Sequence, residues 1–185
     1  MDAGGNRVRP QPTQIFQFPL TGTISKDAIP DGSQGAIVTW GAKVTGSITD
    51  ADIYAQRLDS NVDPYPSWGT YAIVCNAVNF QSNPRLVSNG SGGAIIVWED
   101  RRDGVSKVYA QHLNSNGQPQ PQWPPNGIPL VNTTSQAQFK PMIVSDGSSG
   151  AIVVWEDIRN FQPRLYAQRI DAAGNRLWAD TGAVV

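Results

Sequence analysis

Three stretches of this chain are near copies of one another: "DGSQGAIVTWGA" at 31–42, "NGSGGAIIVWED" at 89–100 and "DGSSGAIVVWED" at 146–157. Each carries a tryptophan, and Trp40, Trp98 and Trp155 stand 58 and 57 residues apart. A second signature follows each copy: "IYAQRLD" (53–59), "VYAQHLN" (108–114) and "LYAQRID" (165–171). A third surrounds Trp68, Trp123 and Trp178, which are spaced by 55 residues. The segment "DAGGNRVR" (2–9) repeats "DAAGNRLW" (171–178), with Arg9 in the place of the tryptophan. Repetition at this period leaves few architectures open, because each unit is one supersecondary element that buries its apolar faces only against its neighbours.

We divide the chain into one repeat domain over 1–185, with approximate units 2–58, 59–113 and 114–170 and a partial repeat 171–185. It starts and stops at the same phase of the repeat, so we expect it to be part of a longer array. Residues 1–14, a poorer copy containing Pro10 and Pro12, are expected to be either loose or swapped onto a neighbouring chain.

Within a unit the elements are short. "QFKPMIVSD" is a strand candidate, and "DGSSG" supplies the positive φ of a tight hairpin turn. "AIVVWED" is a β-branched and aromatic strand, "LYAQRID" a third strand, and "AAGN" a turn before a fourth element ending in "GAVV". No long stretch has a 3.6-residue period. The run Ala151 to Trp155 has no polar side, so its strand must be covered on both faces. Four-stranded antiparallel meanders, repeated and covered on both faces by their neighbours, describe the blades of a β-propeller. The fold class is therefore all-β, a propeller with three four-stranded blades per chain. A β-solenoid and a threefold prism or trefoil are the alternatives. Three blades leave two apolar sheet faces in water, so we expect a homo-oligomer, with two chains closing a ring of six blades.

Composition narrows the partners. The net charge is −1 and charged residues make up only 16 %, so there is no basic face for nucleic acid. No apolar run is long enough to span a membrane as a helix. Cys75 is the only cysteine, and we read it as a small buried hydrophobe. His112 is the only histidine, and it stands where the other units have Arg57 and Arg169. That argues against a multi-histidine metal site and against a Ser-His-Asp triad. The "TDAD" segment offers Asp50 and Asp52, a thin ligand set for calcium. We expect no metal, no cofactor and no catalytic residue.

Two motifs carry competing readings. Glu99-Asp100 and Glu156-Asp157 are followed at equal spacing by Arg102 and Arg159. A carboxylate pair is what glycoside hydrolysis needs. However, these residues follow the repeat, as a carboxylate–guanidinium corner at a strand end would. The first unit has Gly41-Ala42 there and must build its corner differently. Trp40, Trp98 and Trp155, with Tyr54, Tyr109 and Tyr166, are structural repeat positions like Asp100, Arg102, Asp157 and Arg159. Trp68, Trp123 and Trp178 lie in looser sequence, either as stacking platforms for a glycan or as packing between blades.

The series "DGSSGAIVVWED", "YAQRID", "GNRLW" resembles repeats of large bacterial secreted or cell-surface proteins that form β-propellers. The hallmark residues are Asp146, Gly147, Gly150, Trp155, Asp157, Tyr166, Gln168, Arg169, Gly174 and Trp178. The first unit departs most, with Lys26 where the others have Pro84 and Pro141. The resemblance implies an extracellular or cell-surface location and a non-enzymatic scaffold or interaction module with a protein or glycan ligand. A lectin-like propeller is the alternative. A glycoside-acting enzyme using Glu99 or Glu156 is the third reading.

Overall fold

The computed structural model describes residues 23–43, 46–47, 49–132 and 137–185. Among them, twelve strands form three four-stranded antiparallel sheets, each a simple meander. The first contains β1 (Thr23–Pro30), β2 (Ala36–Lys43), β3 (Ala51–Leu58) and β4 (Ala72–Cys75). The second contains β5 (Gln81–Ser88), β6 (Ala94–Asp100), β7 (Lys107–Leu113) and β8 (Ile128–Pro129). The third contains β9 (Gln138–Ser145), β10 (Ala151–Asp157), β11 (Arg164–Ile170) and β12 (Ala183–Val184). The opening strands lie side by side, β1 against β5 and β5 against β9, without joining into one sheet. The sheets therefore fan out from a shared inner edge, and the arrangement is propeller-like. Each sheet keeps its fourth strand with the three before it, so the sheets are phased later than the sequence units 2–58, 59–113 and 114–170. Residues 1–14 lie outside the described residues.

Register places the repeat signatures opposite one another. Trp40 pairs with Tyr54, Trp98 with Tyr109 and Trp155 with Tyr166. Their ring centroids are 5.9, 6.2 and 6.5 Å apart. The prolines of the inner strands also find a reason. The β5–β6 register shifts between Ser82 and Arg85, so Pro84 sits in a bulge where no N–H is missed. In β1, Lys26 pairs regularly with Trp40 instead.

The core lies between sheets. Ile37, Ile53, Ala55 and Val74 of the first sheet pack on Leu86, Ile96, Trp98 and Tyr109 of the second. Ile95, Val97, Val108 and Leu130 of the second pack on Val153, Trp155, Tyr166 and Ile170 of the third. Each sheet thus has a leading face, holding the Trp–Tyr pair, and a trailing face, holding the alternate residues of the same strands. Every junction described joins a trailing face to a leading one. This explains why the second strands are apolar on both sides.

Candidate functional site

The second tryptophan set is built at the junctions. Trp68 ends a short 3-10 turn, Pro66–Trp68, and is only 3 % exposed. Its indole N–H donates to the Ser115 carbonyl of the next sheet at 2.8 Å. Trp123 repeats this one sheet later, donating to the Ala172 carbonyl at 2.9 Å and 4 % exposed. The receiving turns place glycine against the ring. A Cβ on Gly117 would come within 2.7 Å of Trp68, and one on Gly174 within 3.1 Å of Trp123. Both glycines have positive φ, which suits a residue without a side chain. Trp178 has the same position in the third sheet but remains 39 % exposed.

The loop carrying each of these tryptophans is fixed by the buried glutamine of "YAQ". The side-chain amide of Gln56 donates to the Gly69 and Thr70 carbonyls, that of Gln111 to Pro124, and that of Gln168 to Ala179.

The Asp–Arg corners are likewise internal. Asp100 accepts from the Trp98 indole at 2.8 Å and from Arg102 through both carboxylate oxygens. The Arg102 guanidinium lies 4.0 Å over the Tyr109 ring and donates to the Asn126 carbonyl. Asp157, Trp155, Arg159 and Tyr166 repeat the cluster, with Arg159 at 3.7 Å over its ring. Burial alone would raise the pKa of Asp157, but bonds from Arg159, Trp155 and Gln138 hold it below the ordinary carboxylate value. The first sheet, lacking Glu-Asp, uses Asp52 on β3, which accepts from the Tyr54 hydroxyl at 2.8 Å. Burial pushes the pKa of Asp52 up, against the Tyr54 hydrogen bond.

A third cluster was not legible from the motifs. In the "DGSxG" turns, Asp31 accepts from the amides of Ser33 and Gly35 and pairs with Arg57 at 2.9 Å. Asp146 does the same with Ser148, Gly150 and Arg169. The second sheet changes both members together. Asn89 accepts from Ser91 and Gly93, and its amide meets His112 Nε2 at 2.9 Å. The paired change from Asp and Arg to Asn and His was the available signal.

The two glutamates meet around one residue. Glu99 is buried and accepts from the Asn83 side chain at 2.9 Å and from the Lys140 amide at 2.8 Å. Glu156 pairs with the Lys140 ammonium at 3.0 Å. The carboxylates belong to different sheets, and both are engaged at the inner edge. Beside them lies a cavity of about 430 Å³ lined by Asn83, Arg85, Lys140, Met142, Glu156 and Leu165. Cys75 is buried beside Asp100 and Arg102, and burial pushes its thiol pKa up to about 12. Among the described residues, no group of three or more His, Cys, Asp or Glu side chains is arranged to hold a metal. No described helix is long and apolar enough to cross a membrane.

No protein-family model matches the chain. No curated protein matches it either. Among solved structures, it is similar to an endo-arabinase from Bacteroides thetaiotaomicron VPI-5482, at 11 % identity and a TM-score of 0.47. The match covers 83 % of this chain and 61 % of that one, so the chain spans less than two thirds of the length of this neighbour.

Proposed function

We propose that the chain is a non-enzymatic propeller scaffold, an interaction module of a secreted or cell-surface protein. One observation carries this reading: the polar residues that recur with the repeat make the same bonds in successive sheets. Asp100–Arg102 and Asp157–Arg159 each close a strand end over a tyrosine. Glu99, the better buried of the two glutamates, is engaged by Asn83 and by the backbone of Lys140, which ties the second sheet to the third. A hydrolase needs a carboxyl pair facing one open substrate path. A repeating structural bond needs only the symmetry of the fold. The secreted or surface location rests on the resemblance of the repeat.

The test is incubation with a panel of plant and bacterial polysaccharides, reading released reducing ends. The scaffold reading expects no release. Release that disappears in both Glu99→Gln and Glu156→Gln, with the fold retained by circular dichroism, would replace it with the enzyme reading. The lectin reading retains one partly open ring, Trp178. Glycan-array binding that Trp178→Ala removes would favour it.

A further inference from the structure

The trailing face of the third sheet is open, although the same face is buried in the two sheets before it. Ile53 and Val108 are fully buried, whereas Leu165, their equivalent on β11, is 47 % exposed. Ile95 and Val97 are fully buried, whereas Ile152 and Val154 on β10 are half-buried. Met142 and Val144, paired with Val154 and Ile152, extend this apolar surface, and Trp178 stands at its rim. An exposed apolar face whose equivalents are buried in both preceding sheets marks an interaction site.

The two internal junctions specify what such a face receives. Each takes a leading face with a Trp–Tyr pair, and each seats its second-set tryptophan on an Asx turn. Asn114 accepts from the amides of Asn116 and Gln118, and Asp171 from those of Ala173 and Asn175. In both turns the residue under the indole is glycine. The first sheet has the same turn, in which Asp59 accepts from Asn61 and Asp63. Here, however, Val62 takes the glycine place, at φ 68°. A side chain there occupies the volume that the indole fills at the other two junctions. The leading face of that sheet is also already covered, with Trp40 and Tyr54 both buried. A second copy of the chain, added head to tail, therefore offers the wrong turn and a closed face.

We infer that the trailing face of the third sheet docks a further repeat unit of this type, one with glycine in its Asx turn, and that it is not built for the first sheet of a second copy. Trp178 is the reading element: its indole seats on the glycine and its N–H finds a turn carbonyl. This goes beyond the scaffold reading and stands even if that reading fails, because no carboxylate chemistry enters it.

The experiment follows acrylamide quenching of Trp178, taken as the difference between the 185-residue chain and its Trp178→Phe variant. Across a dilution series Trp178 should stay accessible. Protection that grows with concentration, accompanied by a dimer mass in light scattering and abolished by Trp178→Ala, would make a second copy the occupant and overturn the proposal. In a second arm the chain is extended after Val185 by a copy of its own residues 77–132, which carries the glycine turn. Quenching of Trp178 should then fall several-fold. A companion extension with Gly→Val in the copied turn should leave it unchanged. Equal protection by both extensions, or failure of the glycine-bearing extension to fold onto the chain by circular dichroism, would overturn the proposal.

Discussion

The indole N–H of Trp68 donates to the Ser115 carbonyl across the boundary between two sheets, and the ring rests where Gly117 has no side chain. The bond and the contact make one joint. Trp68→Ala should cost about 3–5 kcal/mol, the range for emptying a buried aromatic site. Trp68→Phe keeps most of the packing and should cost less, near the roughly 1 kcal/mol of a lost hydrogen bond plus a small cavity. Gly117→Val should destabilise by clash and by its positive φ. Urea unfolding of the three variants measures the order; equal costs for Trp68→Phe and Trp68→Ala would refute it.

The two kinds of ion pair in this chain should behave differently. Asp157–Arg159 is buried at its carboxylate, which also accepts from Trp155 and Gln138. Asp157→Ala leaves those donors and the guanidinium without their carboxylate, although Arg159 keeps the Thr181 carbonyl, and should cost about 3–5 kcal/mol. Lys140–Glu156 is largely exposed, so Lys140→Ala should cost less than about 1 kcal/mol. Thermal unfolding of both variants separates them.

His112 makes the junction between the second and third sheets sensitive to acid. Its ring is buried and edge-on to Trp123. Nδ1–H donates to the Ala172 carbonyl at 3.0 Å, so Nε2 accepts from Asn89. Protonating Nε2 would set two donors face to face, because the Asn89 oxygen is already held by Ser91 and Gly93. The carboxylate of the packed turn, Asp171, bonds its own turn instead. Burial lowers the His112 pKa, with the Ala172 bond opposing. Its contribution to stability is therefore full above the unfolded value of about 6.5 and is lost as pH falls through the lower folded value. Unfolding free energy measured from pH 7.5 down to 5 should decline, and His112→Gln should flatten that slope.

The carboxylates act in a more acidic window. The Ser148 amide lowers the pKa of Asp146 first, and burial opposes, but Arg169 and Gly150 add to the lowering. Asp31 and Asp157 are likewise lowered on balance. Their stabilisation is present above the unfolded value of about 4 and fades below it. Arg169→Met should shrink the acid loss below that pH while leaving the step due to His112 in place, as a pH series of melting temperatures would show.

Much of the architecture was legible because the repeat fixes it. The meanders and the Asp–Arg corners follow from periodicity and strand chemistry alone. The junctions were harder to read. Whether Trp68 lies on the surface or in a seam depends on a glycine some fifty residues away, and Gly117 looks like an ordinary turn residue until the indole is seen against it. The Asp31–Arg57 pair spans a sheet, so neither motif announces it alone. Only the joint replacement by Asn89 and His112 does. Sheet phase was legible in the run from "QFKPMIVSD" to "GAVV", although the units 2–58, 59–113 and 114–170 cut the repeat at another point, which leaves its period unchanged.

Val62, Gly117 and Gly174 hold one position in three near-copies, yet only two of them admit an indole. The units are thus written in one language but addressed to different neighbours. Recombination that duplicates, deletes or reorders repeats in the gene preserves every strand and turn and still produces mismatched seams. Reordering that moves the valine turn behind a tryptophan-bearing unit would be penalised in the folded protein, which favours keeping the order of repeats even while their sequences stay nearly the same.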